Sequence, residues 1–554
     1  MSKYSIGIDY GSLSARAILI DLSNGAEVAT SEFVYPHAVM PRDFFPGITL
    51  DKAVALQHPQ DYLDALQHTL KELITETDVN IEDIVGLGID FTSCTILPIT
   101  QDGTPLCFLD KYKNNPHAYV KLWKHHGGQK EADEITKLAQ ERKESWLSAY
   151  GNKVSSEWLM PKLLDILHKE PELYQETDKF VEAGDWLVWQ ITGQKVRNSS
   201  MSGFKAFWNK REGYPSHEFW GSLQKEFEYV LEDKVAGEVI PTGTKAGEIT
   251  EYGAKLTGLK PGTAVAAPII DAHAAMPAAG IVDEGKLLMV IGTSTGHLVL
   301  SKEEKNVEGI CGSVMDGIIP GYVAYEAGQS CVGDNFAWFM KNCVPERYEI
   351  EARECGKNIF QYVTDKAAEF DVGESGIVVL DWWNGNRSPL ADFDLSGMIL
   401  GLTLQTKPEE IFRGIMEATA FGTRAIVDLF LENGVKIDEV YAAGGISRKN
   451  PFMMQMYADV LGKDVKITKT TQAGAKGSAI FASVAGGYFA TIKEAADVIA
   501  DKCDLIYHPN KENSEKYRRL YQEYVKLTEY FGKGGNDIMK RLSSFGKGKE
   551  DWQP

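Results

Sequence analysis

GIDYGSLSARAILID, residues 7–21, carries an apolar strand into an aspartate, a glycine and a run of small residues, then at once begins a second apolar strand. The alternation on either side predicts a β-hairpin over residues 4–22 whose turn is almost bare of side-chain bulk. In such a turn the backbone N–H groups of Gly11, Ser12 and Leu13 can approach a phosphate. Asp9 would repel that phosphate unless a divalent cation lay between them, and Mg²⁺ fits best because it prefers carboxylate and phosphate oxygens.

KLLMVIGTSTGHLVLS, residues 286–301, repeats the pattern of strand, small-residue turn and strand. Sliding the first element onto it places Gly11 on Gly292, Ser12 on Thr293, Ala15 on Gly296 and Ile18 on Val299. So distant a repeat predicts two similar domains facing one another, not a solenoid. Two unrelated hairpins would leave the same local trace. Gly292, Thr293 and Ser294 form the second candidate phosphate turn. Gly292 to Gly296 also fits the G-x-S-x-G elbow of a serine hydrolase, but that elbow needs a helix after the serine and HLVLS reads as a strand. The chain contains no G-x-x-x-x-G-K-[ST], and no G-x-G-x-x-G opens a helix.

A chain of 554 residues exceeds one ordinary core and predicts two or three domains. Apolar residues at 44% and charged residues at 25% are those of a soluble globular protein. Lys+Arg 58 against Asp+Glu 78 gives −20, which disfavours nucleic acid or an anionic membrane as partner. Seven scattered cysteines with no C-x-x-C pair, and an N-terminus that enters a strand without an apolar leader, point to the reducing cytoplasm. Residues 263–282 approach the length of a membrane span, but Asp271, His273, Pro268 and Pro277 in their middle predict a buried strand, turn and helix.

Leu63, Leu66, Leu70 and Leu73 keep helical spacing, and IVGLGIDF at 84–91 reads as a strand, so strands alternate with amphipathic helices in an α/β fold. Residues 110–240 have weak periodicity and are expected to be insertions without sheet core. Pro408 opens a long helix closed by Gly434, DEVYAAGG is a strand, and Asn450 caps a helix whose first residue is Pro451. AGAKGSAIFASVAGG is helical, Thr491 and Glu494 form a capping box, residues 514–531 form a docked helix, and KRLSSFGKGKEDWQP is expected to fray.

Asp271, between an apolar strand and a run of alanines, reads as an N-cap and, compatibly, as a general base that takes a proton from a substrate hydroxyl during in-line phosphoryl transfer. Lys205 and Glu326 are lone charges among apolar and aromatic residues, suited to reading sugar hydroxyls or to an interdomain ion pair. His273 and His297 lack metal-ligand spacing and read as structural; His125 and His126 read as solvated.

Together GIDYGSLSARAILID, IIDAHAAMPAAG, VIGTSTGH and AAGGISRKNPFMMQMYADVLG, in this order, resemble the FGGY carbohydrate kinases of the actin-like ATPase fold, from residue 4 to about 500. The resemblance implies two ribonuclease-H-like domains facing across a cleft. Residues 1–283 would carry the sugar site and base, 284–500 the adenosine site, and 501–554 a helical tail. It implies ATP with Mg²⁺, Asp9 beside the metal and Asp271 as base. Gly11 to Leu13 and Gly292 to Ser294 would be the phosphate turns, and Gly444, Gly445 and Asn450 would lie at the nucleotide. Ser93, Lys205 and Glu326 would line the sugar pocket. GIDFTSCT and WWNGNRSPLAD narrow the implied substrate to a ketopentose, L-ribulose, in L-arabinose catabolism. Glycerol kinases carry Arg-Glu, and xylulokinases Met-His, where this chain has Thr92, Ser93 and Cys94. Another sugar kinase of the family and an actin-like ATPase without a sugar acceptor are the alternatives, and a homodimer is left open.

Overall fold

Both bare turns close hairpins. The computed structural model describes residues 2–546 apart from 236, 470, 471 and 502. Strands Tyr4–Tyr10 and Ser14–Asp21 pair antiparallel and close at Tyr10↔Ala15. Strands Gly285–Ile291 and Thr295–Ser301 close at Ile291↔Thr295, one residue tighter.

The duplication extends through both sheets. Glu27–Val34 continues the first hairpin antiparallel, as Val323–Gln329 continues the second. On the other side Ile84–Phe91 runs parallel to Tyr4–Tyr10, as Ile437–Ala443 runs parallel to Gly285–Ile291. Ala264–Ala266 and Val465–Ile467 each add a further parallel strand, and Lys245–Glu248 and Leu505–Tyr507 close those edges antiparallel. Two unrelated hairpins would not share this order. Ile6, Ile8 and Ile18 lie in one core and Leu287, Met289 and Val299 in another, while Leu288, Leu298 and Leu300, on the other face of the second sheet, join the first core.

Residues 110–240 depart from expectation. With residues from Met40 onward they build a third core around Ile96, Leu163, Phe207 and Trp220, and it includes a four-stranded sheet. Its aromatic residues blur the period in sequence because they pack as rings, such as Trp146 against Phe219 at 5.3 Å and Tyr150 against Trp158 at 5.3 Å. Residues 263–282 form strands Ala264–Ala266 and Ile269–Ile270 and the helix Asp271–Ala278. Among the described residues no helix is long and apolar enough to cross a membrane.

The helix Ala473–Ala485 lies on the first sheet, not the second. Three glycines let it approach: a Cβ on Gly7 would stand 1.8 Å from the Ala475 carbonyl oxygen, on Gly88 2.0 Å from that of Ser478, and on Gly86 2.2 Å from that of Ala482. Ala495, Ala496 and Ile499 of the following helix join the same core. A segment late in the chain thus completes the first domain. The tail helix Lys511–Gly532 covers the second core with Tyr517 and Tyr524. Residues 540–546 of the stretch expected to fray belong to the helix Ile538–Gly546, whose Met539 reaches that core; residues 547–554 lie outside the described residues.

Gly88→Ala is expected to lower stability by about 3 kcal/mol or more, since its new methyl meets backbone that cannot rotate away. Thermal unfolding followed by circular dichroism checks this; an unchanged midpoint would refute the packing.

Candidate active site

Gly7-Ile8-Asp9-Tyr10 and Gly88-Ile89-Asp90-Phe91 are the same word on neighbouring parallel strands, with Asp9 opposite Asp90 and Tyr10 opposite Phe91. Tyr10 and Phe91 stack at 4.9 Å and fix that register. Gly474, at the start of the crossing helix, closes the site: a Cβ there would lie 2.9 Å from Asp9 Oδ2 and from Asp90 Oδ1. Ser478 Oγ donates to Asp90 Oδ2 at 2.7 Å, while Asp90 Oδ1 is buried and accepts no hydrogen bond among the described residues. Burial raises both carboxyls, and the Asp9 charge lifts Asp90 well above the ordinary range.

Asp271 is the first residue of its helix, with Ile270 as N-cap, so the capping role falls away. Its Oδ1 accepts from the adjacent Ala272 N–H at 2.7 Å. Removal from water, then the charge of Asp9, raises it to about 7.

Lys205 ends the helix Ser199–Ala206 and Glu326 stands mid-strand in Val323–Gln329, one on each side of the cleft. They meet at 3.0 Å. Burial opposes both charges, but the partner together with neighbouring groups, His273 in the case of Glu326, more than offsets it, so Lys205 is held above and Glu326 below its ordinary value. His273 Nε2 lies 3.4 Å from Glu326 Oε2 and its Nδ1 pairs with Ser200 Oγ at 3.1 Å. That is a structural role, as is that of His297, whose Nε2 bonds Thr423 Oγ1 at 3.0 Å. His125, expected in solvent, is buried; its neighbour His126 is half-exposed.

A cavity of about 290 Å³ gathers Ser93, Lys205 and Asp271 from the first half of the chain with Thr293, Ser294 and Glu326 from the second. Trp123 also lines it and donates from Nε1 to Ser12 Oγ at 2.9 Å. In the turns, the Gly11 N–H bonds Ser14 O at 3.0 Å and the Gly292 N–H bonds Ser294 O at 2.9 Å. The two glycines therefore close their turns rather than offer N–H groups, and those of Ser12, Leu13, Thr293 and Ser294 make none of the turn bonds. The serine of the elbow pattern leads into the strand Thr295–Ser301, which excludes the hydrolase.

In the loop after the strand Ile437–Ala443, expected at the nucleotide, Gly444 has φ 98°, and a Cβ on it would stand 2.2 Å from Ile291 O. Gly445 faces open space at the start of a short helix to Lys449 that the sequence reading missed. Asn450 Oδ1 accepts from Met453 N–H at 3.0 Å, so it shapes the loop as a cap. Gly333 ties this loop to the second turn, since its missing Cβ would lie 2.6 Å from Gly292 O and 3.1 Å from Ile446 Cδ1.

Asp90 and Trp123 were not singled out from sequence. The repeated Gly-Ile-Asp-aromatic word signals Asp90; nothing local signals Trp123, which reaches the cleft only through tertiary packing.

Two similar α/β domains facing across an acidic cleft, each presenting a bare hairpin turn, define a phosphotransferase of actin-like ATPase architecture. The chain belongs to the FGGY family of carbohydrate kinases, whose N-terminal domain model matches residues 4–277 and C-terminal domain model residues 287–486. It is 49% identical over 549 residues to a ribulokinase from Halalkalibacterium halodurans, covering 98% of this chain and 97% of that one. It is 44% identical over 543 residues to a ribulokinase from Mycolicibacterium smegmatis, covering 98% and 96%. Among solved structures, a xylulose kinase from Lactobacillus acidophilus superposes with TM-score 0.78 at 18% identity over 95% of this chain and 98% of that one. A glycerol kinase from Plasmodium falciparum gives 0.74 at 16% over the same shares.

Lys205→Met is expected to cost about 3 kcal/mol, because it strips Glu326 of its counter-charge. Lys205→Met with Glu326→Leu should regain much of that stability. Melting of the two variants checks it; equal losses would show that the pair is not coupled.

Proposed function

We propose that the protein transfers the γ-phosphoryl group of ATP to the 5-hydroxyl of L-ribulose, giving L-ribulose 5-phosphate and ADP, the ribulokinase step of L-arabinose catabolism. The observation that carries this reading is the single cavity lined by Ser93, Lys205, Asp271 and Glu326 beside Thr293 and Ser294 of a phosphate turn. The full-length likeness to curated ribulokinases supports the choice of sugar.

Asp271 accepts the hydroxyl proton while that oxygen bonds the γ-phosphorus and the bond from phosphorus to the ADP oxygen breaks. A base raised to about 7 holds a proton tightly enough to draw one from an alcohol yet is largely ionised at slightly alkaline pH. Lys205 and Glu326 offer donors and acceptors to the sugar carbonyl and hydroxyls, and a mismatched sugar leaves one of these buried charges without its hydrogen bond. Trp123 adds an apolar face and its tie to Ser12 links the sugar wall to the first turn. Ser12, Leu13, Thr293 and Ser294 supply backbone N–H groups for phosphate oxygens, and the space beside Gly445 suits the adenosine.

Asp9 and Asp90 are the residues that would hold Mg²⁺. Both are hard oxygen donors, Asp90 Oδ1 is orphaned, and Gly474 leaves the space. Among the described residues no group of three His, Cys, Asp or Glu side chains is placed to hold a metal alone, which fits an ion completed by phosphate and water. Bound there, Mg²⁺ would neutralise phosphate charge. A cytoplasmic location accords with seven cysteines that are all free.

Asp271→Asn is expected to keep the fold and nucleotide binding but lower kcat by about 10²- to 10⁴-fold. Because burial raises Asp271, kcat/KM of the wild type should fall as pH drops through about 7, or lower once a cation favours its carboxylate, and the variant should lose that limb. Activity within a few-fold of wild type would remove Asp271 from the role. Asp9→Asn should need more Mg²⁺ for half-maximal rate; an unchanged requirement would overturn its assignment. A coupled assay across L-ribulose, D-ribulose, D- and L-xylulose, ribitol and glycerol tests the sugar. The reading fails if glycerol or D-xylulose exceeds L-ribulose tenfold in kcat/KM, and ADP release indifferent to every sugar would favour an ATPase.

A further inference from the structure

Two walls of the sugar cavity arrive on strands that part before they reach it. Ser93 sits in the turn between the strands Ile84–Phe91 and Ile96–Ile99, and Trp123 follows the strand Val120–Lys121. Ile96–Ile99 and Val120–Lys121 pair antiparallel at Ile96↔Lys121 alone. Continued toward the cleft, that register would set Thr95 against Leu122 and Cys94 against Trp123, yet among the described residues no backbone hydrogen bond joins these pairs. Thr95 O instead accepts from the Ala183 N–H at 2.8 Å, beyond Lys179–Glu182, and the Leu122 N–H donates to Ala55 O at 3.1 Å, beside Leu56–Gln57. Each strand end is thus drawn to its outer neighbour. The gap leaves room for a ligand between Ser93 and Trp123, but it also leaves the two residues without a shared ladder to fix their spacing.

Lys162 fills the split. It comes from the helix Leu159–Lys169, whose Leu159, Leu163 and Ile166 pack in the third core, and it is fully buried. Its Nζ donates to Cys94 O at 2.6 Å and to Leu122 O at 2.9 Å, one carbonyl from each strand end. Leu122 O also accepts from the His125 N–H at 2.9 Å, whereas Cys94 O accepts from Lys162 alone among the described residues. Cys94 has φ 53°, a left-handed conformation that a residue with a side chain keeps only where its surroundings impose it. The Leu122 carbonyl belongs to the peptide unit that carries Trp123, and Ser93 immediately precedes Cys94. Fixing these two oxygens therefore fixes where both wall residues start.

A buried cation is a costly way to fill space. Both acceptors are neutral, Lys162 forms no ion pair among the described residues, and burial lowers its proton affinity against the opposing influence of Cys94, Glu182 and Glu157. An apolar side chain of similar length would disturb the third core less. Packing alone does not account for a lysine at this position; the need to grip two carbonyls at one point does.

We propose that Lys162 is a positioning residue for the sugar, which sets the spacing of Ser93 and Trp123 and with it the pocket's choice among ketopentoses and polyols. It acts through those two residues, since it does not itself line the cavity, and the inference rests on the sugar-kinase reading above.

The test compares the wild type with Lys162→Met, which keeps the length and loses the donors, and Lys162→Gln, which keeps amide donors without the charge. Thermal melting first establishes that each variant folds, and sugar and nucleotide are then assayed separately. Lys162→Met is expected to raise KM for L-ribulose about 10- to 100-fold, the consequence of wall groups misplaced by about 1 Å. The spread of kcat/KM across the sugar series should narrow, while kcat and the calorimetric affinity for MgADP without sugar stay within about threefold of wild type. Lys162→Gln should fall between the two proteins. An unchanged sugar KM in folded Lys162→Met, proportionate losses of sugar and nucleotide affinity, or failure of both variants to fold would make Lys162 a support of the third core alone and overturn the proposal. The kinase reading fails separately, in the wild type, if ADP release ignores every sugar.

Discussion

The carbonyl oxygen of Ala475 occupies the space that a side chain on Gly7 would take, and the rest of the site depends on that contact. Only glycine at positions 7, 86 and 88 lets the helix Ala473–Ala485 come so near the first sheet. At that distance Gly474 arrives between Asp9 and Asp90, and Ser478 reaches Asp90 with a hydrogen bond. The helix belongs by sequence to the second half of the chain and by packing to the first. The chain therefore crosses from one half to the other beside the acidic pair itself.

The cleft concentrates negative charge. Asp9 and Asp271 raise the proton affinity of Asp90, Asp9 and Glu326 raise that of Asp271, and Lys205 is the cation paired with Glu326. The two ends of this cluster behave differently because their surroundings differ. Glu326 has Lys205 and His273 and stays ionised; Asp271 has neither as a direct partner and keeps an affinity near neutrality. One cleft thus sets a fixed charge, proposed for recognition, beside a titrating one, proposed for proton transfer.

Much of the fold was legible because its signals are local. Bare turns between apolar strands gave both hairpins, Pro408 and Pro451 marked helix starts, and the order of motifs gave the duplicated sheets. What was missed depends on contacts far apart in the chain. Helical composition at 473–485 names a helix but not the sheet it covers, and the decisive glycines lie more than 380 residues earlier. The third core was hidden because rings packing edge to face follow no single period. Within the site, residue types pointed to Asp9, Asp271, Lys205 and Glu326, but which hydrogen bonds the turn glycines make is a matter of backbone geometry. Gly11 and Gly292 spend their N–H groups on closing the turns.

That last detail bears on how a protein of net charge −20 can hold a nucleotide. Neither hairpin turn carries a lysine or arginine: residues 11–13 are Gly, Ser and Leu, and 292–294 are Gly, Thr and Ser. In the proposed site, attraction beyond that of Mg²⁺ would come from N–H dipoles, which are short-ranged, and each turn commits one of its three to its own closure. Two turns contributing two N–H groups each become effective only when both reach the same phosphate chain. A single domain has half of that set and the full repulsion of its acids. If the turns hold phosphate as proposed, binding energy would be available chiefly to an arrangement in which both turns are engaged at once. On the proposed reading, closure would be coupled to phosphate recognition by the scarcity of positive charge, and it would exclude water as the reacting groups meet.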